Sequence, residues 1–159
     1  MRHYFLDTSA LVKVYSVEAG STRVQNIIRG ANVRPPQNRI VISVLAHPET
    51  ASAIVQILGG PDAARRGFGA RDQQRLPAVL ASELRYASFV LAPADLHVDA
   101  AAALVWKHRV RGADAVHLAT ALAARKDVPD SAEFYFVSSD VSLNRAALAE
   151  GLAVIDPAD

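Results

Sequence analysis

Apolar residues follow two rhythms along this chain. Short runs dense in aromatic and β-branched side chains predict strands: HYFL (3–6), RIVISV (39–44), FVLA (89–92), EFYFVSS (133–139) and LAVID (152–156). Between them the apolar positions recur at helical spacing, as Val24, Ile27 and Ile28 do within 21–31. Further helices are expected from Ser9 to Tyr15 and over 47–60, 72–88, 94–110, 113–126 and 141–150. Pro48 suits a first helical turn, where its missing N–H is not needed, and Gly59 and Gly60 end that helix. Pro77 is awkward near the start of its helix, and NVRPPQN (32–38) reads as a loop. Strands separated by helices predict an α/β domain with parallel pairing and helical crossovers.

Composition narrows the chemistry. With 159 residues the chain is expected to form one domain over 1–159. It has no cysteine, which excludes disulfides, thiolate metal sites and cysteine nucleophiles and suits a reducing cytoplasm. No apolar run approaches the ~20 residues of a membrane span. The opening MRHYFLD reaches an acid too early for a signal peptide. A net charge of +1 means that nucleic-acid binding would need a local basic patch.

Four acids stand where such a fold gathers its ligands. Asp7 directly follows HYFL, and Asp140 directly follows FYFVSS. Parallel strands would project both from one edge of the sheet, where open α/β sheets bind ligands. Glu49 falls in the first turn of the helix after the second strand, and Asp114 follows RG at another helix start. Each acid alone is explained by capping and the helix dipole. Together they raise an electrostatic difficulty. Unit charges ~5 Å apart repel by roughly 3 kcal/mol per pair at an effective dielectric near 20. Six such pairs exceed a typical folding stability of ~5–15 kcal/mol. A converging cluster must hold protons or a cation, and oxygen ligands suit a hard ion.

The stretches FLDTSALVK (5–13), PETASAIV (48–55), RGADAVHLATAL (111–122) and FVSSDVSLNRAALAEGLAVIDP (136–157) resemble a PIN domain, and within it the VapC-type ribonuclease toxins. The resemblance implies a three-layer α/β/α sandwich around a central, mostly parallel sheet. It also implies Mg²⁺- or Mn²⁺-dependent cleavage of RNA that leaves 5′-phosphate and 3′-hydroxyl ends. Carried over residue by residue, it gives Asp7, Glu49, Asp114 and Asp140 as the catalytic acids, with Asp7, Asp114 and Asp140 holding metal. Ser9 and Ser139 match hydroxyl positions expected to orient those carboxylates. A cognate antitoxin and a homodimer are the partners it implies. AHPE (46–49) and the Gly/Arg-rich stretch 59–72 depart from the family pattern.

Cations that could hold RNA fall into two groups: Arg65, Arg66, Arg71 and Arg75, and Lys107, His108, Arg109 and Arg111. Arg111, beside Asp114, is the expected substrate contact. His117, one turn from Asp114, is expected to pack or bond locally among apolar neighbours. His3, His47, His97 and His108 show no paired ligand spacing. Asp95 and Asp99 suit the first turns of their helix, and Trp106 is expected in the core or an interface. Two other functions compete with the nuclease. A Mg²⁺-dependent phosphatase would want a second acid where Ser9 stands. A non-toxin PIN-fold RNA-binding or interaction module would not need all four acids.

Overall fold

The computed structural model describes residues 1–69, 71–86, 89–92 and 97–159. Five parallel strands, β1 (Arg2–Leu6), β2 (Asn38–Ser43), β3 (Phe89–Ala92), β4 (Phe134–Val137) and β5 (Ala153–Ile155), form one sheet in the order β3-β2-β1-β4-β5. The helices are α1 (Thr8–Leu11), α2 (Ser21–Asn32), α3 (Ala46–Leu58), α4 (Asp72–Tyr86), α5 (Val98–His108), α6 (Gly112–Lys126) and α7 (Val141–Ala149).

Strand alternation divides the core into two halves. Tyr4, Leu6, Ile40, Ile42 and Val137 point to one face and pack against side chains of α1 to α4, including Leu11, Val24, Ile54 and Leu80. Phe5, Val41, Phe134 and Phe136 point to the other and meet Leu104, Leu118 and Leu143 from α5, α6 and α7. Phe5 stacks on Phe136 across β1 and β4 with ring centroids 5.7 Å apart. The three-layer α/β/α arrangement expected from the sequence is therefore the one observed.

Topology explains why the layers divide so. The chain leaves β1 toward β2 and β3 through α1 to α4, then returns past β1 to β4 and β5 through α5 to α7. Crossovers of one hand running in opposite directions put helices on opposite faces. The direction reverses between β1 and β4, and the crevice at the carboxyl ends of those two strands is where such sheets bind ligands.

Several boundaries differ from expectation. α1 stops at Leu11 and tightens into a 3-10 turn, Val12–Val14, where a helix to Tyr15 was expected. At Gly20 the chain takes a positive φ of 87°, and a Cβ there would lie 2.7 Å from the Pro157 backbone. α3 begins at Ala46, so Pro48 and Glu49 both lie in its first turn. Pro77 sits inside α4, which runs to Tyr86; residues 87 and 88 of the expected helix lie outside the described residues. The expected 94–110 helix is seen as α5 from Val98, and its residues 94–96, Asp95 among them, also lie outside. Left-handed Arg109, at φ 57°, ends α5. β4 ends at Val137, which leaves Ser138 and Ser139 in the turn before α7. Among the described residues, no helix is long and apolar enough to cross a membrane.

Candidate active site

Parallel pairing sets the first two acids side by side. Leu6 is in register with Val137, and the Asp7 N–H donates to the Val137 carbonyl at 3.0 Å. Asp7 caps α1 and Asp140 caps α7, as the plain capping reading of each sequence junction requires. Those caps use only half of each carboxylate. Oδ2 of Asp7 accepts the Ser9 N–H at 3.2 Å, the Ser9 hydroxyl at 2.8 Å and the Ser138 hydroxyl at 3.2 Å. Oδ1 of Asp140 accepts the Leu143 N–H at 2.9 Å. Among the described residues, the other oxygen of each accepts no hydrogen bond.

Two hydroxyls lock this junction. Ser138, fully buried, accepts the Asp140 N–H at 3.0 Å while donating to Asp7. Ser9 accepts the Ser139 N–H at 2.9 Å while donating to the same Asp7 oxygen. Ser139, the serine singled out from the sequence, turns its hydroxyl toward Asp156 at 3.4 Å instead. The orienting bonds from the SSD turn thus come from the hydroxyl of Ser138 and the N–H of Ser139.

Asp114 approaches from the opposite helical layer, in the first turn of α6. Its carboxylate has no hydrogen-bond partner among the described residues. Burial raises its pKa, and the neighbouring charges of Asp7, Asp140 and Glu49 raise it further, against the opposing pull of Arg111. Arg111 offsets only part of this crowded negative charge.

Glu49 is held differently. Its Oε2 accepts the Thr8 hydroxyl at 2.7 Å and pairs with Nε2 of His117. The His117 hydrogen bond is the main reason its pKa is lowered; burial opposes and Thr8 assists. Burial disfavours the His117 imidazolium, but Glu49, Asp7 and Asp114 outweigh it and leave that pKa raised. His117 is only 1% exposed, and its Glu49 partner lies 68 residues away in sequence, so the expectation of local bonding is corrected. Periodicity places His117 on a buried helix face but cannot identify a partner on another helix.

Asp7, Ser9, Glu49, Asp114, Ser139 and Asp140 all line one cleft of about 760 Å³, together with Arg111. Lys13, Glu18 and Arg66 line it too, and the sequence singled out only Arg66 of these. Most of the other proposed RNA-holding cations are occupied. Arg65 pairs with Asp62 at 3.2 Å, Arg75 with Asp72 at 3.4 Å, and Lys107 and His108 share Glu150 at 2.7 and 2.5 Å. Trp106 is 87% exposed, which removes it from the core.

The donor set fits a hard divalent cation. Asp7 and Asp140 each present a free oxygen, Asp114 presents two, and the described residues lining the cleft include no sulfur and no imidazole. The spacing is open, since among the described residues no three acids or histidines already form a ligand group. Binding an ion would draw the carboxylates inward and relieve the repulsion that raises the Asp114 pKa.

No curated protein matches this chain. Among solved structures it is similar to VapBC2 from Rickettsia felis bound to a DNA fragment from their promoter, at 12% identity over 96% of this chain and 97% of that one, with a TM-score of 0.48. The PIN domain family model matches residues 4–149, and the chain belongs to that family.

Proposed function

We propose that this protein is a metal-dependent endoribonuclease whose acids Asp7, Asp114 and Asp140 hold Mg²⁺ or Mn²⁺. One observation carries the reading: three aspartates with free oxygens reach one cleft from the β1/β4 crevice and from α6. A divalent ion there supplies Lewis acidity toward a phosphoryl oxygen and lowers the pKa of water. The protein's own groups do the positioning. Ser9 and Ser138 fix the Asp7 carboxylate through Oδ2 and leave Oδ1 available to a ligand of the cleft that Asp7 lines. Thr8 and His117 hold Glu49 ionised at the cleft wall, where it can accept a proton from an attacking water. Arg111, at the start of α6, is placed to meet a phosphate beside Asp114. The 2′-hydroxyl is not the nucleophile on this route, so preference for RNA rests on binding and shape.

The motif resemblance extends the reading to the toxin of a toxin–antitoxin pair acting in the cytoplasm. Its proposed partners are an antitoxin that blocks the cleft and a second copy of the chain. The test uses purified protein and end-labelled single-stranded RNA, with Mg²⁺ or Mn²⁺ and then with chelator. Cleavage that chelator stops and added metal restores, with 5′-phosphate ends, is expected. RNA binding without cleavage under every metal condition would instead make this an interaction module.

A further inference from the structure

The cleft has a second charged feature that the acids do not explain. Lys13, in the 3-10 turn after α1, is 5% exposed, yet it is a lysine. Its ammonium donates to the Ala19 carbonyl at 2.8 Å and to Oε2 of Glu18 at 3.3 Å. Arg66, from the Gly/Arg-rich stretch, pairs with the other Glu18 oxygen. Its Nε is buried without a partner, and Nη1 makes no hydrogen bond among the described residues. Two cations therefore share one carboxylate, which leaves the cluster with a net positive charge. Asp62, the other acid on that wall, is paired with Arg65.

Position gives this charge a use. Lys13 belongs to the layer of α1 to α4, and Arg111 opens α6 in the opposite layer. Asp7 and Asp140 lie between them, at the carboxyl edge of the sheet. A polyanion entering a cleft rich in carboxylates is stabilised only where cations meet its phosphates. The cleft offers such a place on each side of its acidic centre.

We propose that Lys13, Glu18 and Arg66 form a phosphate subsite that holds a backbone phosphate of the RNA strand next to the one at the acidic centre, with Arg111 flanking the other side. Glu18 occupies the cations when no strand is bound, and the phosphate displaces it from Arg66. The subsite rests on the ribonuclease reading. It adds the path of the strand, from one helical layer to the other across the β1/β4 crevice, and gives Arg66 a role that its neighbours Arg65 and Arg75 do not share.

Removing either partner of the Glu18–Arg66 pair separates this proposal from a purely structural ion pair. Binding of a short single-stranded RNA is measured in an Asp114→Asn background over a range of salt concentrations, with thermal melting of each variant alongside. Arg66→Gln is expected to weaken binding roughly fivefold at low salt. It should also flatten the dependence of log affinity on log salt by about 0.7, the share of one phosphate on a single strand. Glu18→Gln frees both cations and is expected to tighten binding, while Arg66→Lys restores most of the slope. A structural pair predicts the same sign for both glutamine variants, lower melting and no change of slope, and that result overturns the subsite while leaving the nuclease reading intact. Absence of any salt-dependent RNA binding by the background protein overturns both.

Discussion

The two edges of the sheet carry opposite electrostatic problems. At the carboxyl edge, acids from β1, β4 and α6 crowd a cleft of about 760 Å³, and the Asp114 pKa is raised by burial and by other acids. At the amino edge, His3 is 6% exposed, and its pKa is lowered by burial and then by Arg39, the terminal amine and Arg125. The nearby hollow of about 480 Å³ is bordered by Arg2 and Glu133, which pair with each other at 2.8 Å. One edge pairs its surface charge internally and leaves one neutral imidazole under strain from cations. The other leaves several carboxylates for which the fold supplies too little positive charge. The difference points to the carboxyl edge, because there a cation brought from outside would relieve a repulsion that the fold's own charges leave in place.

Neutralising Asp114 tests that contrast most strongly. Asp114→Asn should lower metal-dependent cleavage at least about a hundredfold, since even outer partners of metal ligands are worth 10–100-fold. Yet in chelator the variant should melt higher than the parent. A carboxyl whose folded pKa is raised above its ordinary 3.8 opposes folding once ionised, so its cost grows as pH rises through that region and disappears on acidification. Saturating Mg²⁺ should reverse the order, because an ion at a hundred times its Kd stabilises the parent by about 2.7 kcal/mol. A variant that melts lower than the parent in chelator would mean that Asp114 is a structural cap and not an unmet charge.

The SSD turn gives a smaller and more local test. Ser138→Ala removes the donor to Asp7 and strands the Asp140 N–H, for a cost of about 1–3 kcal/mol and weaker metal binding. Ser139→Ala removes only a 3.4 Å contact with Asp156 and should stay within about 0.5 kcal/mol of the parent. Urea melts and Mg²⁺ titrations of the two variants read the difference. Equal effects would show that the turn relaxes enough for either serine to serve.

That pair also marks how far the sequence could be read. Strand and helix order and the positions of Asp7 and Asp140 were legible because each rests on local pattern: β-branched runs, helical spacing, an acid at a strand-to-helix junction. The three layers and the place of Asp114, which follows a helix, came through the motif resemblance. Ser138 was not legible, because β4 ends two residues before the end of the strand expected over 133–139, and the turn then decides which hydroxyl meets Asp7. The packing of His117 was legible but its partners were not, because Glu49 and Thr8 come from helices in the opposite layer. Lys13 and Glu18 were overlooked because a charge on a short helix or in the turn after it normally lies in water. Only the 3-10 tightening after Leu11 and the turn at Gly20 bring that lysine inward against Ala19. In each case the missing information was tertiary: which layer faces which, and by how much a turn rotates one side chain.

The amino edge should give the smallest effect, with the opposite sign in pH. The lowered pKa of His3 means that the folded state binds its proton less readily than the unfolded chain, whose imidazole titrates near 6.5. Stability from this group is present above that value and is lost as pH falls through it, because the unfolded state then takes up the proton that the folded state refuses. His3→Gln keeps a polar side chain of similar length and removes the titration. Its melting temperature should therefore fall less than that of the parent between pH 7 and about pH 5, with cleavage at neutral pH unchanged. Asp114 acts the other way at lower pH, where protonation favours the metal-free fold, so the two edges can be told apart by the pH window in which each variant departs from the parent. If His3→Gln left the acid dependence as it was, neither burial nor the cations around His3 would be shifting its titration, and the contrast would reduce to the carboxyl edge alone.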